Sequence, residues 1–169
     1  MSRGCVARCT FCQRAVKGYR TYAAKDLETH ILELKEKYNV GGLYITDENF
    51  GSNKKQSYGF ARIMKKLDLF WTVGGVRVKS VTYEDLKFYK EHNMVSIKFG
   101  IESGSQKILD IMEKKYTKEI IYNAISNCKK VGIRAGHDAF LLGMPGETEK
   151  TVMETAEFRA LLASVTEKK

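Results

Sequence analysis

The chain has 169 residues, 43% of them hydrophobic and 29% charged, with 14 Gly and a single Pro, enough to bury the core of one ordinary domain. That balance excludes disordered, collagen-like and low-complexity classes, and no apolar run approaches the ~18 residues of a membrane span or forms a signal segment before Cys5, so a cytoplasmic protein is expected. The formal charge of +9 would suit a polyanion, but the Lys pairs at 54/55, 65/66, 114/115, 129/130 and 168/169 are scattered near expected helix ends, which favours solvated helix surface over a nucleic-acid contact.

In chain order, a loop holding Cys5, Cys9 and Cys12 comes first. Asp26 is placed to cap a helix whose apolar residues Leu27, Ile31, Leu34 and Tyr38 keep helical spacing until Gly41 and Gly42 stop it. Residues 43–47 read as a strand, Phe60, Ile63, Met64 and Leu67 mark a second helix, and residues 70–78 form the next strand. Thr82 caps a third helix carrying Leu86 and Tyr89. Residues 95–101 are the clearest strand, alternating apolar residues with a face that bears Ser96, Lys98 and Glu102. A helix through Ile108, Leu109 and Met112 follows, then one over 117–131 ended by Gly132, a strand over 134–142, a turn over 143–147 and a final helix through Val152 and Ala156.

Strands alternating with helices predict an α/β fold with a parallel sheet, open or rolled into a barrel, whose chemistry sits at the C-terminal strand ends. Just past those ends stand Asp47, Glu48 and Asn49, then Arg77, then Glu102, Ser103 and Gly104, then the turn from Gly143 to Glu147. Polar and Gly-rich groups therefore gather at one rim. Taken singly, Asp47 and Glu48 would be a helix-entry carboxylate pair, Glu102 a partner for Lys98, and Glu147 a charge at a helix N-terminus.

The cysteines run Cys5-x3-Cys9-x2-Cys12. Three thiolates so close in a chain too large to need disulfide staples suit one cubic iron–sulfur cluster, whereas structural zinc wants four ligands, commonly as two separated pairs. Cys128 falls on the stripe Ile121, Ala124, Ile125 and Val131 and reads as a small buried hydrophobe. A cluster held by three cysteines keeps one iron open for a small molecule.

This CxxxCxxC loop, with the aromatic Phe11 before its last cysteine, resembles the signature of radical S-adenosylmethionine (SAM) enzymes. Asp47, Glu48, Asn49 and Phe50 stand where that family has its GGE motif; their identity resembles the cobalamin-binding branch, as does the strand from Trp71 closed by Arg77. The run from Gly100 through Glu102, Ser103 and Gly104 to Ser105 resembles the ribose-contact strand, and Phe140 to Glu147 the next strand with its turn from Gly143 to Glu147. The resemblance implies a partial (βα)6 barrel over 1–169 as one core domain. It assigns Cys5, Cys9 and Cys12 to a 4Fe-4S cluster and to catalysis. Phe11, Asp47, Glu48, Asn49, Arg77, Glu102, Ser103, Gly143 and Glu147 are assigned to the cluster and SAM surroundings. SAM would bind the open iron, and one electron from a reductant such as flavodoxin or ferredoxin would release a 5′-deoxyadenosyl radical. His137 and Asp138 would face an unidentified substrate, and Lys98 would be an interior charge.

Six βα units take roughly 190 residues when scaled from an eight-unit barrel. The first and sixth strands are therefore expected to be missing, as from a truncated core, with exposed edges at 43–46 or 134–142, and cobalamin would need a longer parent. Two rivals remain: a methylthiotransferase-type core that modifies tRNA, and a metal-stabilised RNA-binding module without catalysis.

Overall fold

The computed structural model describes residues 1–13, 16, 18–136 and 139–166. Four parallel strands, β3 (Gly42–Ile45), β4 (Phe70–Val76), β5 (Met94–Phe99) and β6 (Arg134–Gly136), lie side by side in chain order. The order makes β3 and β6 the two edges, so both expected edges are present. Tyr44 faces Thr72 across one ladder, Thr72 faces Ser96 across the next, and Ser96 faces Arg134 across the last. A separate antiparallel ribbon pairs β1 (Ser2–Gly4) with β2 (Tyr19–Thr21) and carries the cysteine loop between them. The barrel is partial, as expected, and not closed.

Among the described residues six α-helices connect and follow the strands: α1 (Ala24–Tyr38), α2 (Lys54–Lys66), α3 (Tyr83–Glu91), α4 (Gln106–Ile111), α5 (Lys118–Val131) and α6 (Glu149–Thr166). The helices α2, α3 and α5 each start on a side-chain cap. Asn53 accepts from the Gln56 N–H, Thr117 from the Ile120 N–H, and Thr82 forms a reciprocal capping box with Asp85. Gly132 ends α5 at φ 73, the left-handed conformation that favours glycine.

The core lies between one face of the sheet and α2, α3 and α5. Trp71 is its hub, with Phe50, Phe60 and Tyr89 ring centroids at 5.7, 5.2 and 5.6 Å and its indole N–H donating to the His92 carbonyl at 2.7 Å. Ile97, Phe99, Ile121, Ile125 and Cys128 continue this core inward. Burial pushes the Cys128 thiol up to about 12, in keeping with the expected small hydrophobe. The other face of the sheet is left open: Tyr44 is 55% exposed and Lys98 is exposed, its ammonium 5.7 Å from the Tyr44 ring.

Asp85 joins α2 to α3. Its carboxylate accepts from the Thr82 N–H at 2.7 Å, from the Tyr58 hydroxyl at 2.9 Å and from Lys54. Burial opposes ionisation, but the donors outweigh it and hold this carboxyl below its ordinary value.

Several expectations need correction. Asp26 does not cap α1; Ala23 takes that position without a side-chain bond, and Asp26 lies in the first turn, where its charge offsets the dipole. The same helix ends at Asn39, which adopts φ 49 before Gly41 is reached. Residues Ser2–Gly4 do form a short strand, β1, but it pairs antiparallel with β2 and is not the first barrel strand expected to be missing. Strand β6 is described over Arg134–Gly136, and a parallel bridge between Glu102 and Phe140 lies further along the expected strand over 134–142. His137 and Asp138 lie outside the described residues. Val95 is 41% exposed although its strand neighbours Ile97 and Phe99 are buried, because it lines an open cavity of about 760 Å³ with Lys90, Ile133 and Arg134. That cavity lies at the N-terminal ends of β5 and β6, away from the polar rim. Among the described residues no helix is long and apolar enough to cross a membrane.

Candidate functional site

The cysteine loop is anchored from two directions. On its N-terminal side, the Gly4 N–H donates to Glu48 at 2.6 Å, and the Ser2 N–H and hydroxyl donate to one Asp47 oxygen at 2.9 and 2.6 Å. In its middle, the Thr10 N–H donates to the Met112 carbonyl at 3.1 Å and the Thr10 hydroxyl to the Ile111 carbonyl at 2.9 Å. The carboxylates at the end of β3 and the turn after α4 thus hold the loop against the rim, supplying acceptors to N–H and hydroxyl groups of β1 and of the loop.

All four cysteines are free thiols; Cys12 is exposed, Cys5 and Cys9 are half-buried, and Cys128 is buried. The Cys12 N–H turns back to the Cys9 carbonyl at 3.2 Å, and the Ala7 N–H donates to the Cys5 sulfur at 3.4 Å. Among the described residues no three Cys, His, Asp or Glu side chains converge as a metal group, so the three thiols share one loop without meeting at a point. The donor set nonetheless fits an iron–sulfur cluster: three unbridged soft ligands on one anchored loop, with a main-chain N–H already aimed at a sulfur.

Next to this loop lies a polar cluster formed where β4 and β5 end. Glu102 sits at φ 71, a left-handed conformation uncommon for a side chain larger than glycine, and its main chain is fixed on both sides by bonds to Ala139 and Leu141 at 2.9 and 2.8 Å. Its carboxylate meets the Lys114 ammonium at 3.4 Å. That ammonium also lies 5.4 Å from the centroid of the Phe11 ring in the cysteine loop and 5.5 Å from that of Tyr116. Arg77 donates to the Lys114 carbonyl at 2.9 Å, and the Tyr116 hydroxyl donates to the Gly100 carbonyl at 2.8 Å. Burial raises the Tyr116 phenol well above its ordinary value, Glu102 and Cys9 add to the rise, and Arg77 opposes it. Cys9, Phe11, Arg77, Glu102, Lys114 and Tyr116 therefore form one neighbourhood.

The other expected site residues divide. Asp47 is buried and committed to Ser2, and Glu48 is exposed and bound to Gly4, so both carboxylates hold the ribbon. Asn49 is fully buried with its amide nitrogen on Ser52 at 2.6 Å, its Oδ1 having no hydrogen-bond partner. Ser103 is turned inward, 3.2 Å from the Thr155 hydroxyl, and ties the rim to α6. Gly143 at φ 89 donates to the Glu147 carboxylate, which closes its own turn. Lys98, the sequence-based partner for Glu102, lies over Tyr44 instead.

Sequence reasoning missed Lys114 and Tyr116. Lys114 was read as one of the solvated pairs, yet its side chain is only 5% exposed. The one local signal was the aromatic two residues after it. What buries it is the pair of left-handed residues on either side, Glu113 at φ 54 and Lys115 at φ 58.

The model of the Radical SAM superfamily matches residues 1–159. An uncharacterized methyltransferase of Pyrococcus horikoshii is 31% identical over 93% of this chain and 35% of its own length. A Methanocaldococcus jannaschii protein, whose methylthiotransferase name is itself provisional, is 28% identical over 92% of this chain and 37% of its own. The chain spans about a third of the length of these relatives. Among solved structures, the radical S-adenosylmethionine methyltransferase TsrM from Kitasatospora setae, with cobalamin and a 4Fe-4S cluster bound, superposes with a TM-score of 0.82 at 19% identity, covering 95% of this chain and 31% of that one. This last likeness is one of fold.

Proposed function

This chain belongs to the radical SAM superfamily, and we propose that it is the core of a cytoplasmic enzyme that binds a 4Fe-4S cluster and SAM and cleaves SAM reductively, within a longer cobalamin-dependent methyltransferase. The observation that carries the reading is the contact of Phe11, next to the last cysteine, with the ammonium that pairs with Glu102. A cluster loop and a rim carboxylate occupy one place, as binding a nucleoside-bearing cofactor beside iron requires.

Cys5, Cys9 and Cys12 would hold three irons as thiolates, leaving the fourth to the amino and carboxylate groups of SAM. A reduced cluster bound there would supply the single electron that reductive cleavage of the SAM sulfonium needs. The protein positions and shields. Glu102 would accept from the ribose hydroxyls, its direction fixed by the bonds on both sides of its main chain. Phe11 would cover the cluster. Arg77 would hold the Lys114 turn, Asp47 and Glu48 would keep the loop docked on β3, and Gly143 and Glu147 would shape the turn where the nucleoside lies. Asn49, with a buried unpartnered oxygen, would accept a donor from the ligand. A small reductant protein would supply the electron, and the substrate would be set by parts of the longer protein.

The test is electron paramagnetic resonance of the anaerobically reconstituted, dithionite-reduced chain. SAM is expected to shift the cluster signal by occupying the open iron. A zinc-bearing chain with no signal would favour the RNA-binding module instead, and a signal that ignores saturating SAM would remove the open iron.

A further inference from the structure

We propose that Lys114 is a positioning residue that couples the cysteine loop to Glu102, so that the state of the loop and the affinity for a nucleoside at Glu102 change together. The inference rests on the proposed reading of Glu102 as a SAM contact and adds a residue that the sequence motifs do not include.

A buried ammonium must be compensated, because three N–H donors in a low-dielectric interior lose their water. Lys114 is 5% exposed, and its ammonium meets one carboxylate oxygen, Glu102 Oε1, at 3.4 Å, a long contact for a charge-assisted pair. The remaining compensation comes from two ring faces, Phe11 at 5.4 Å and Tyr116 at 5.5 Å. One of these rings belongs to the cysteine loop and the other is fixed to β5 through the Gly100 carbonyl. The ammonium is thus the point at which the loop, the end of β5 and Glu102 meet.

The backbone is built to keep it there. Lys114 lies between two left-handed residues, its N–H donates to the Leu109 carbonyl at 3.1 Å, and its carbonyl accepts from Arg77 at 2.9 Å. Left-handed residues other than Gly each cost about 1–2 kcal/mol, and two in succession around one buried cation mark a turn retained for where it places that side chain. The Thr10 bonds to Ile111 and Met112 attach the cysteine loop to the same turn. A shift of the loop therefore moves Phe11 against Lys114, and Lys114 against Glu102.

The test uses the anaerobically reconstituted chain, with iron and sulfide content and SAM affinity measured side by side. Lys114→Met, which keeps the length and removes the charge, is expected to keep iron loading and weaken SAM about tenfold, with Lys114→Arg restoring most of the loss. Phe11→Leu is expected to weaken SAM severalfold in the wild-type background and to have little further effect in Lys114→Met. If Lys114→Met binds SAM normally while Glu102→Gln does not, the coupling is wrong and the reading of Glu102 stands. If neither variant changes affinity, the reading of Glu102 fails and the coupling fails with it. Full additivity of Phe11→Leu and Lys114→Met, loss of iron in Lys114→Met, or no rescue by Arg would also overturn the coupling. Should Lys114→Met not fold, Lys114→Gln, which also removes the charge, combined with Phe11→Leu gives the same additivity test.

Discussion

Replacing Cys5, Cys9 and Cys12 together by Ala is expected to reduce the iron bound on anaerobic reconstitution from about four per chain to background, and to remove the visible charge-transfer absorption. The effect is large because no other thiol can substitute. Cys128, the remaining cysteine, is fully buried on α5 within the core, and burial pushes its thiol up to about 12, which disfavours the thiolate a metal needs. Cys128→Ala should accordingly leave iron content nearly unchanged and cost only some stability through lost packing. Iron retained in the triple variant, or lost in Cys128→Ala, would overturn the assignment of ligands.

The second large effect is expected at Gly4. This residue adopts φ 80, and a Cβ there would fall on the Gly18 carbonyl oxygen across the ribbon, backbone that cannot move aside as a flexible side chain would. A left-handed conformation alone costs a non-Gly residue about 1–2 kcal/mol, and the overlap forces β1 and β2 apart in addition. The Gly4 N–H bond to Glu48 goes with them. Gly4→Ala should therefore lose most of its cluster loading while keeping the far-ultraviolet circular dichroism of the helical body, since the overlap lies in the ribbon, outside the parallel sheet. Gly18→Ala provides the contrast: Gly18 has φ 79 but nothing within 4 Å of its added Cβ, so only the conformational cost applies and loading should fall modestly. Equal loading in Gly4→Ala and wild type would show that the ribbon does not hold the loop.

The readable parts of this chain are those in which spacing alone carries the information. The cysteine triplet, the Thr82 cap, the Gly132 stop and the Cys128 stripe are local patterns, and the structure shows the free thiols on one loop, the capping box, the left-handed glycine and the buried thiol where the patterns put them. The succession of helices and strands likewise gave the parallel sheet. The ribbon was not readable, because three-residue strands carry no period. At the site, what spacing did not encode is which distant groups meet. Asp47 and Glu48, which the resemblance assigns to the cluster and SAM surroundings, accept from main-chain donors 45 and 44 residues away. Lys114 was read as one of two adjacent solvated lysines, and left-handed backbone at its neighbours turns it inward. Such partners are chosen by tertiary placement, which no local pattern encodes.

The central claim, that this chain cleaves SAM at a cluster held by its cysteine loop, is tested most directly by measuring 5′-deoxyadenosine. The reconstituted chain, reduced with dithionite and supplied with SAM, is expected to release 5′-deoxyadenosine slowly, in amounts that fall to background in the triple cysteine variant and in the absence of reductant. Slow release is expected because the sheet is open on the face that bears Tyr44 and Lys98 and admits water to the radical site. Iron loaded to about four per chain with no 5′-deoxyadenosine above the variant's background would contradict the account.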